Sequence, residues 1–489
     1  MSRDNNEKLK RFNISGIPLI KSVSKIIDLK SIFKKYISSY GNESVEVTDT
    51  LMFLIWNITL GRQPLYELYE WIRGIDPKCH GLDKQQLSSF NDDRFGRTLD
   101  KLYAADRATL MTEIVVKMIK KINLDMGRVH NDSTTVKAYG KIAGVTKDGL
   151  RMAKGNNKDH RPDLVHLVFS LTISSDGAVP VHYKTYPGNR TDDTTHIETW
   201  NTVKEIAGKS DFIYVADSKV CTSKQLTHIV VNGGRVITVM PKTWKETNIF
   251  KEELLAINIP RKIILKRKTP DSDYDNEYFS LFSGRYATLD DGYAIYWYLS
   301  SQKKKLDKSI RQKRVSRADS RLMELSLKLN KRDLKTEENI REKIEAILNK
   351  YGLKDFFKIT VSKNSEEIKK QITKGRPGPF AKYRSITKTT YALDWEIDKK
   401  RLKKEERSDG IFPLLSTDKS IGPKEVLTSY KYQPRLEKRF NQFKSVHEAA
   451  PILFKNIQRV EAIMFLFFVA LIIQGIIERK VRMSWQGGI

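Results

Sequence analysis

Residues 212–217 read Phe-Ile-Tyr-Val-Ala-Asp, a run of five apolar side chains that ends in a carboxylate. Such a run predicts a strand that is buried on both faces. An ionised Asp217 at its carboxyl end is costly unless the charge is paired or binds a metal, so this position needs an explanation. The alternative is a turn or a helix cap, because Asp217 and Ser218 precede a predicted helix.

The sequence on either side of this strand predicts a mixed sheet. Short β-rich runs occupy residues 129–136, 164–174 and 179–186, and the last two are joined by Ser175-Asp176-Gly177, a hairpin signal. A helix is predicted at 195–207 and another at 223–231, with a strand at 235–240 after it. The order β-β-β-α-β-α-β predicts an α/β domain with three antiparallel strands and helices on both faces.

The rest of the chain divides by pattern into three regions. Residues 17–124 have helical periodicity, so an all-α N-terminal domain is predicted over 1–125. The sheet pattern over 126–240 resumes with a strand at 410–416 and a helix from about 424, which predicts one core made of 126–240 and 408–489. Between them, 241–407 predicts a large α+β insertion, with strands at 262–265, 293–299 and 391–397 and a turn-rich linker at 374–379. Its charged helical stretch, 309–351, is either a solvated arm or an arm that tracks DNA.

Composition limits the partners and the compartment. The formal charge is 88 − 59 = +29, and 39% of the 489 residues are hydrophobic, which excludes a disordered chain. A charge this large indicates a polyanionic partner, with nucleic acid first and an acidic membrane surface second. Two cysteines exclude a disulfide framework and a four-cysteine zinc site. With no secretory signal in residues 1–15, we expect a cytoplasmic, nucleoid-associated protein.

One apolar run admits two interpretations. Residues 462–473 read AIMFLFFVALII and are bracketed by Glu461 and Glu478. The run is shorter than the roughly 18 apolar residues that indicate a membrane span, so it predicts a buried core helix and no membrane partner. A membrane helix is the alternative.

Three acidic residues are candidates for metal-dependent chemistry on phosphodiesters, which needs converging carboxylates. Asp132 lies within the first predicted strand, Asp217 follows the apolar strand, and Glu437 lies on a helix that is predicted to begin near Pro434. Tyr430, Phe440 and Lys444 are spaced to share a face with Glu437. Each acid taken alone has an ordinary structural interpretation, and Glu437 alone suits an amphipathic surface helix. Asp192 and Asp193 compete as ligands but better suit the cap of the helix at 195.

Four stretches together resemble a known family. They are VHNDSTTVKAYG, HLVFSLTISSDGAVPVHYKTYPGNRTDDTTH, YVADSKVCTSKQL and SYKYQPRLEKRFNQFKSVHEAAPILFK, which span 129–455. The chain resembles DDE transposases of bacterial insertion sequences, which have an RNase H-like catalytic core, in the YREK-type branch with a β-rich insertion. The branch has Tyr, Arg, Glu and Lys where this sequence has Tyr430, Gln433, Glu437 and Lys444. The Arg that would contact a phosphate in that branch is replaced here by Gln433, which is a departure from the motif.

The resemblance implies an activity and its ligands. Asp132, Asp217 and Glu437 would be the DDE triad that binds two Mg²⁺, with Mn²⁺ as an alternative ion. The activity would be cleavage at insertion-sequence ends and transfer of the 3′-hydroxyl into target DNA, by a homodimer in the synaptic complex. Expected DNA contacts are Tyr430, Lys444, Arg435 and Trp297, although half-buried core is the alternative for Trp297. A metal nuclease without strand transfer and an inactive DNA-binding remnant of a mobile element remain open.

Overall fold

The computed structural model describes residues 11–39, 43–139, 142–155, 163–190, 195–268, 276–372, 375–449, 452 and 454–486. The chain forms two compact units. The main unit contains residues 1–241, 292–294 and 414–489, and the inserted unit contains 242–291 and 295–413. Asp192 and Asp193 lie outside the described residues, as does Lys374 of the expected linker.

The described secondary structure comprises the following elements. The helices are α1 Ile17–Ile26, α2 Leu29–Tyr36, α3 Val47–Trp56, α4 Leu68–Arg73, α5 Pro77–His80, α6 Lys84–Ser88, α7 Asp92–Ala104, α8 Arg107–Ile122, α9 His196–Ala207, α10 Ser223–Val231, α11 Lys245–Ala256, α12 Ser301–Ser326, α13 Glu337–Tyr351, α14 Lys399–Glu405, α15 Pro423–Tyr430, α16 Gln433–Asn441 and α17 Ile457–Gln486. The strands are β1 Arg128–Lys137, β2 His166–Ser174, β3 Pro180–Pro187, β4 Ile213–Ala216, β5 Arg235–Val239, β6 Arg261–Lys268, β7 Asn276–Phe282, β8 Tyr286–Ala287, β9 Ala294–Ser300, β10 Phe357–Gln371, β11 Tyr383–Ile397 and β12 Ile411–Ser416.

The sheet of the main unit has the order β3-β2-β1-β4-β5-β12. Strands β1, β2 and β3 pair antiparallel, as the hairpin signal predicted. Strands β4 and β5 continue the sheet parallel to β1, and the last residues of β12 return antiparallel to β5, with Leu414 opposite Val239. The predicted mixed α/β sheet is confirmed by these parallel and antiparallel pairings. Strand β4, from the run at 212–217, is buried along its whole length, as predicted.

The N-terminal part of the main unit is helical, as predicted. Helices α1 to α8 bury an apolar core, and Asp49 is the single residue of α3 that is not buried. Helix α8 begins where Asp106 accepts a hydrogen bond from the Thr109 N–H and ends at Asn123, whose φ of 48° closes the helix in the left-handed region.

Helix α17 contains the apolar run. By length and composition it is the one helix of the described residues that could cross a membrane, and 83% of its apolar window is buried inside the protein. Phe468 packs on Tyr183 of β3 with ring centroids 4.7 Å apart. The prediction of a core helix therefore fits its packing in the main unit.

The inserted unit combines two β structures with helices. Strands β6, β7 and β9 form an antiparallel sheet. Strands β10 and β11 form a separate two-stranded ribbon of fifteen residue pairs. The charged stretch expected as one helical arm is instead two helices, α12 and α13, because residues 327–336 break it. Their apolar faces, including Leu322 and Ile344, pack together with the base of the ribbon.

Candidate functional site

Asp132 and Asp217 are brought together by the parallel pairing of two strands. The register of β1 and β4 places His130 beside Val215. Two residues further along each strand, the same register places Asp132 beside Asp217, directly after β4 ends at Ala216. Both side chains line one small pocket, whose other lining residues are Asn131, Ser133, Ser170, Thr195 and His196. The sheet thus joins two of the three candidate acids.

The backbone around Asp217 argues against its alternative role as a helix cap. Helix α10 begins after Thr222, whose side chain accepts the capping hydrogen bond from the Gln225 N–H. Asp217 instead accepts from the Lys219 N–H at 2.9 Å, and its carbonyl oxygen accepts from the Thr238 hydroxyl at 2.7 Å. The Asp217 side chain is 40% exposed, so a ligand can reach it.

His196 belongs to the same pocket and was not identified from the sequence. Its Nδ1 lies 3.0 Å from the Tyr214 hydroxyl, and its Nε2 lies 4.0 Å from Oδ1 of Asp217. The ring is buried at the start of α9. No spacing rule in the sequence indicates His196, because the contact depends on α9 packing over the end of β4.

Tyr430 has a raised pKa to which all three acids contribute. It ends α15, and burial raises its pKa to about 12, with further contributions from the negative charges of Asp217, Asp132 and Glu437. Tyr430 therefore stays protonated at neutral pH and can donate a hydrogen bond.

Glu437 lies on α16, which begins at Gln433 with Pro434 in its first turn, as predicted. The Glu437 side chain is exposed, whereas Phe440 is buried. The two side chains therefore do not share an environment, contrary to the prediction. Within the described residues, no three His, Cys, Asp or Glu side chains are close enough together to hold a metal ion. The structure brings Asp132 and Asp217 into one pocket and leaves Glu437 outside its lining.

The carboxylate oxygens of Asp132 and Asp217 are suitable ligands for a hard divalent cation. Two adjacent carboxylates that open into one pocket supply the oxygen ligands that Mg²⁺ prefers, and such sites usually complete the shell with water and substrate phosphate. Asp132 and Asp217 fit this description. Glu437 would have to approach them to become a third ligand, because its side chain stands outside the pocket.

The remaining expected DNA contacts have different environments. Arg435 is exposed, and Lys444 is half-buried in a π-helical turn, Gln442–Val446. A π-turn contains more residues than an α-turn, so Lys444 is rotated away from the face of Glu437 that α-helical spacing predicts. Trp297 is 3% exposed and stacks on Phe250 with centroids 3.9 Å apart. This arrangement favours the alternative of a core position, because a buried indole cannot stack on a DNA base.

Gln433 stands next to a buried histidine. His130 stacks on Tyr432 with centroids 4.8 Å apart, and burial lowers the pKa of His130 to about 3, against an opposing contribution from Gln433. An arginine at 433 would place a positive charge beside this neutral ring. Gln433 is therefore compatible with the local packing.

Comparisons with known proteins find one matching domain family and a structure with a loose likeness to this one. Residues 9–116 match the model of a domain of unknown function, DUF4277, which covers less than a quarter of the chain. No curated protein matches the sequence. The structure aligns with that of a piggyBac transposase in a synaptic complex with hairpin DNA, at 10% identity and a TM-score of 0.37, over 98% of this chain and 77% of that chain. A TM-score this low is a loose likeness that identifies neither a fold nor an activity.

Proposed function

We propose that the protein is a DDE transposase with an RNase H-like core, of the YREK-type insertion-sequence branch. It would cleave DNA at element ends and transfer the 3′-hydroxyl to target DNA. The observation that carries the proposal is the placement of Asp132 on β1 and of Asp217 directly after β4, the parallel neighbour of β1, where both line one pocket. The strand order β3-β2-β1-β4-β5 supports an RNase H-like core.

The roles of the residues follow from their positions. Asp132 and Asp217 would hold the metal ions, and the exposed side chain of Glu437 would complete the ligand set by turning toward them. Bound Mg²⁺ would supply charge stabilisation for the entering and leaving oxygens of an in-line displacement. Tyr430, kept protonated by its surroundings, would donate a hydrogen bond to a phosphate oxygen near the scissile bond. Lys444 and Arg435 would contact the phosphate backbone.

Several features fit the proposed DNA partner. The chain carries a formal charge of +29, which is suited to a polyanion and predicts strongly salt-dependent binding. Glu437 and Arg435 are both exposed on α16. We propose that two copies act together on two DNA ends, and that the N-terminal helices read the terminal inverted repeats.

The test uses the full chain, Mg²⁺ and a duplex that carries the DNA flanking the gene. Asp132→Asn, Asp217→Asn and Glu437→Gln should each abolish nicking and leave duplex binding intact. Asp211→Asn is the matched control, because Asp211 precedes β4 at the opposite end of the strand and lies 3.6 Å from Lys209. Nicking that survives in the three variants would refute the assignment. Nicking without strand-transfer products would indicate a nuclease.

A further inference from the structure

The ribbon formed by β10 and β11 is anchored at its base by contacts with other parts of the inserted unit. There, the side-chain amide of Asn330 donates to the Tyr391 carbonyl at 2.9 Å and accepts from the Tyr391 N–H at 2.7 Å. Trp395 Nε1 donates to Asp319 at 2.8 Å, which joins the ribbon to α12. These contacts, with the apolar core between the helices and the ribbon base, hold the residue pairs from Phe357 and Ile397 up to Lys363 and Tyr391.

Beyond Tyr391 the ribbon continues as an exposed arm. We define the ribbon arm as residues 364–372 and 375–390. It contains eight further pairs, from Asn364 opposite Thr390 to Gln371 opposite Tyr383, a length of about 27 Å at about 3.4 Å per residue. None of its side chains is fully buried. A two-stranded ribbon with no packed face is marginally stable in water, so this arm is suited to a surface that it meets from outside the chain.

The charge of the ribbon arm is strongly positive. The arm contains six basic residues and only two acidic ones, Glu366 and Glu367, among its described residues. None of the six basic residues forms a salt bridge with another described residue. The six are Lys369, Lys370, Arg376, Lys382, Arg384 and Lys388. Lys370 lies directly opposite Arg384 in the register, and like charges at such a pair destabilise a hairpin. A phosphate between the two cations would remove this repulsion.

The tip of the arm adds a second kind of contact. Phe380 is 96% exposed, and Ile372 and Tyr383 next to it are 59% and 51% exposed. Arg376 lies between Gly375 and Pro377 in the same turn and is exposed. An arginine suits the strongly negative potential of a narrow A·T minor groove, and an exposed Phe is one of the side chains that wedge between base steps there.

We infer that the ribbon arm is a DNA-binding arm whose tip enters the minor groove of duplex DNA. Lys370 and Arg384 hold a backbone phosphate, Arg376 reads the narrow groove, and Phe380 partly unstacks a base step and bends the duplex. The arm deepens the proposed function and shares with it only the duplex DNA partner. It lies wholly within the inserted unit and contains none of the proposed metal ligands.

Binding of the full chain to two duplexes of equal length, one all A·T and one all G·C, tests this inference without divalent metal. We expect Arg376→Ala to weaken binding to the A·T duplex by about tenfold and to remove the preference for it. Lys370→Ala with Arg384→Ala should reduce the slope of log affinity against log salt by about 0.9 for each phosphate that the variant no longer neutralises. Lys403→Ala with Lys404→Ala is the matched control, since it removes the same charge from exposed positions on α14 of the inserted unit, outside the ribbon arm, and should leave both readouts unchanged.

Bending provides an independent readout. Energy transfer between dyes at the duplex ends should rise on binding of the wild-type chain, fall back with Phe380→Ala and be largely kept with Phe380→Leu, which retains an apolar wedge. Unchanged affinity and bending in Arg376→Ala and Phe380→Ala would overturn the inference and indicate a protein partner for the tip. The binding and bending assays measure no cleavage. The inference about the ribbon arm can therefore fail while the proposed function holds, and the proposed function, which the nicking assay tests, can fail while the inference holds.

Discussion

Arg439 and Glu478 form an ion pair inside the main unit, with Nη1 of Arg439 3.1 Å from Oε1 of Glu478. Arg439 is 1% exposed and also donates to the Ala178 carbonyl at 2.8 Å and to the Gln442 side chain at 2.6 Å. It is two residues from Glu437 on α16. The pair therefore fixes the helix that carries the third candidate acid against the β2–β3 turn and α17.

Removing one partner of this pair should destabilise the main unit strongly. Arg439→Met leaves Glu478 without its main countercharge and the Ala178 carbonyl without a donor, and we expect a loss of about 3–5 kcal/mol in the free energy of unfolding. The double variant Arg439→Met with Glu478→Met should lose less, because no uncompensated charge remains. Urea unfolding followed by circular dichroism measures both. A double variant less stable than Arg439→Met would contradict this account of the pair.

Three buried histidines should make the protein less stable in mild acid. Burial lowers the pKa of His130 to about 3 and those of His182 and His447 to about 4, below the ordinary value of 6.5. The unfolded chain then binds more protons below pH 6.5, so the stability present above pH 6.5 is lost as the pH falls toward 4. At pH 5 each histidine costs about 2 kcal/mol relative to pH 7.

His182→Gln tests this contribution directly. The fall in unfolding free energy between pH 7 and pH 5 should be smaller in the variant than in the wild-type chain by about 2 kcal/mol. His447→Gln should give a similar change, because the two rings are buried in different parts of the main unit. An identical pH dependence in wild type and both variants would show that these rings do not stay neutral in the folded protein.

His196 should act on the chemistry through Asp217. Its Nε2 is 4.0 Å from the carboxylate, so His196→Gln should disturb the placing of Asp217 without removing it. Mutation of a residue that supports a metal ligand in this way typically lowers metal affinity or activity by about 10–100-fold. We expect the Mg²⁺ concentration for half-maximal nicking to rise in that range. The control is His228→Gln, whose ring faces Asn201 and lies outside the pocket. Equal effects of both variants would exclude a specific role for His196.

The main-unit sheet was predictable because its strands are short apolar runs separated by turn and helix signals. The buried run at 212–217, the hairpin at Ser175-Asp176-Gly177 and the helix start near Pro434 all follow from local chemistry. The pairing of Asp132 with Asp217 follows from the parallel strands once the sheet is known.

Other features depend on long-range packing that leaves no local signal. Arg439 lies on a charged helix, whose pattern predicts a surface residue. Its partner Glu478 is far along the chain, so no local signal indicates the pair. Strand β10 was missed because its alternating apolar residues are only Phe357, Ile359 and Val361 at the base, and the rest of the strand is mostly polar. The break at 327–336 was missed since the flanking charges favour helix on both sides.

The most direct test of the central claim is where a bound metal ion sits. The protein is bound to a DNA duplex, Fe²⁺ replaces Mg²⁺, and ascorbate and peroxide are added. Hydroxyl radicals then cleave the polypeptide backbone close to the metal. The account predicts cuts near Asp132, Asp217 and Glu437, all suppressed by excess Mg²⁺ and by Asp217→Asn, and all retained in Asp211→Asn. Cuts near Asp132 and Asp217 with none on α16, or no Mg²⁺-sensitive cuts at all, would contradict it.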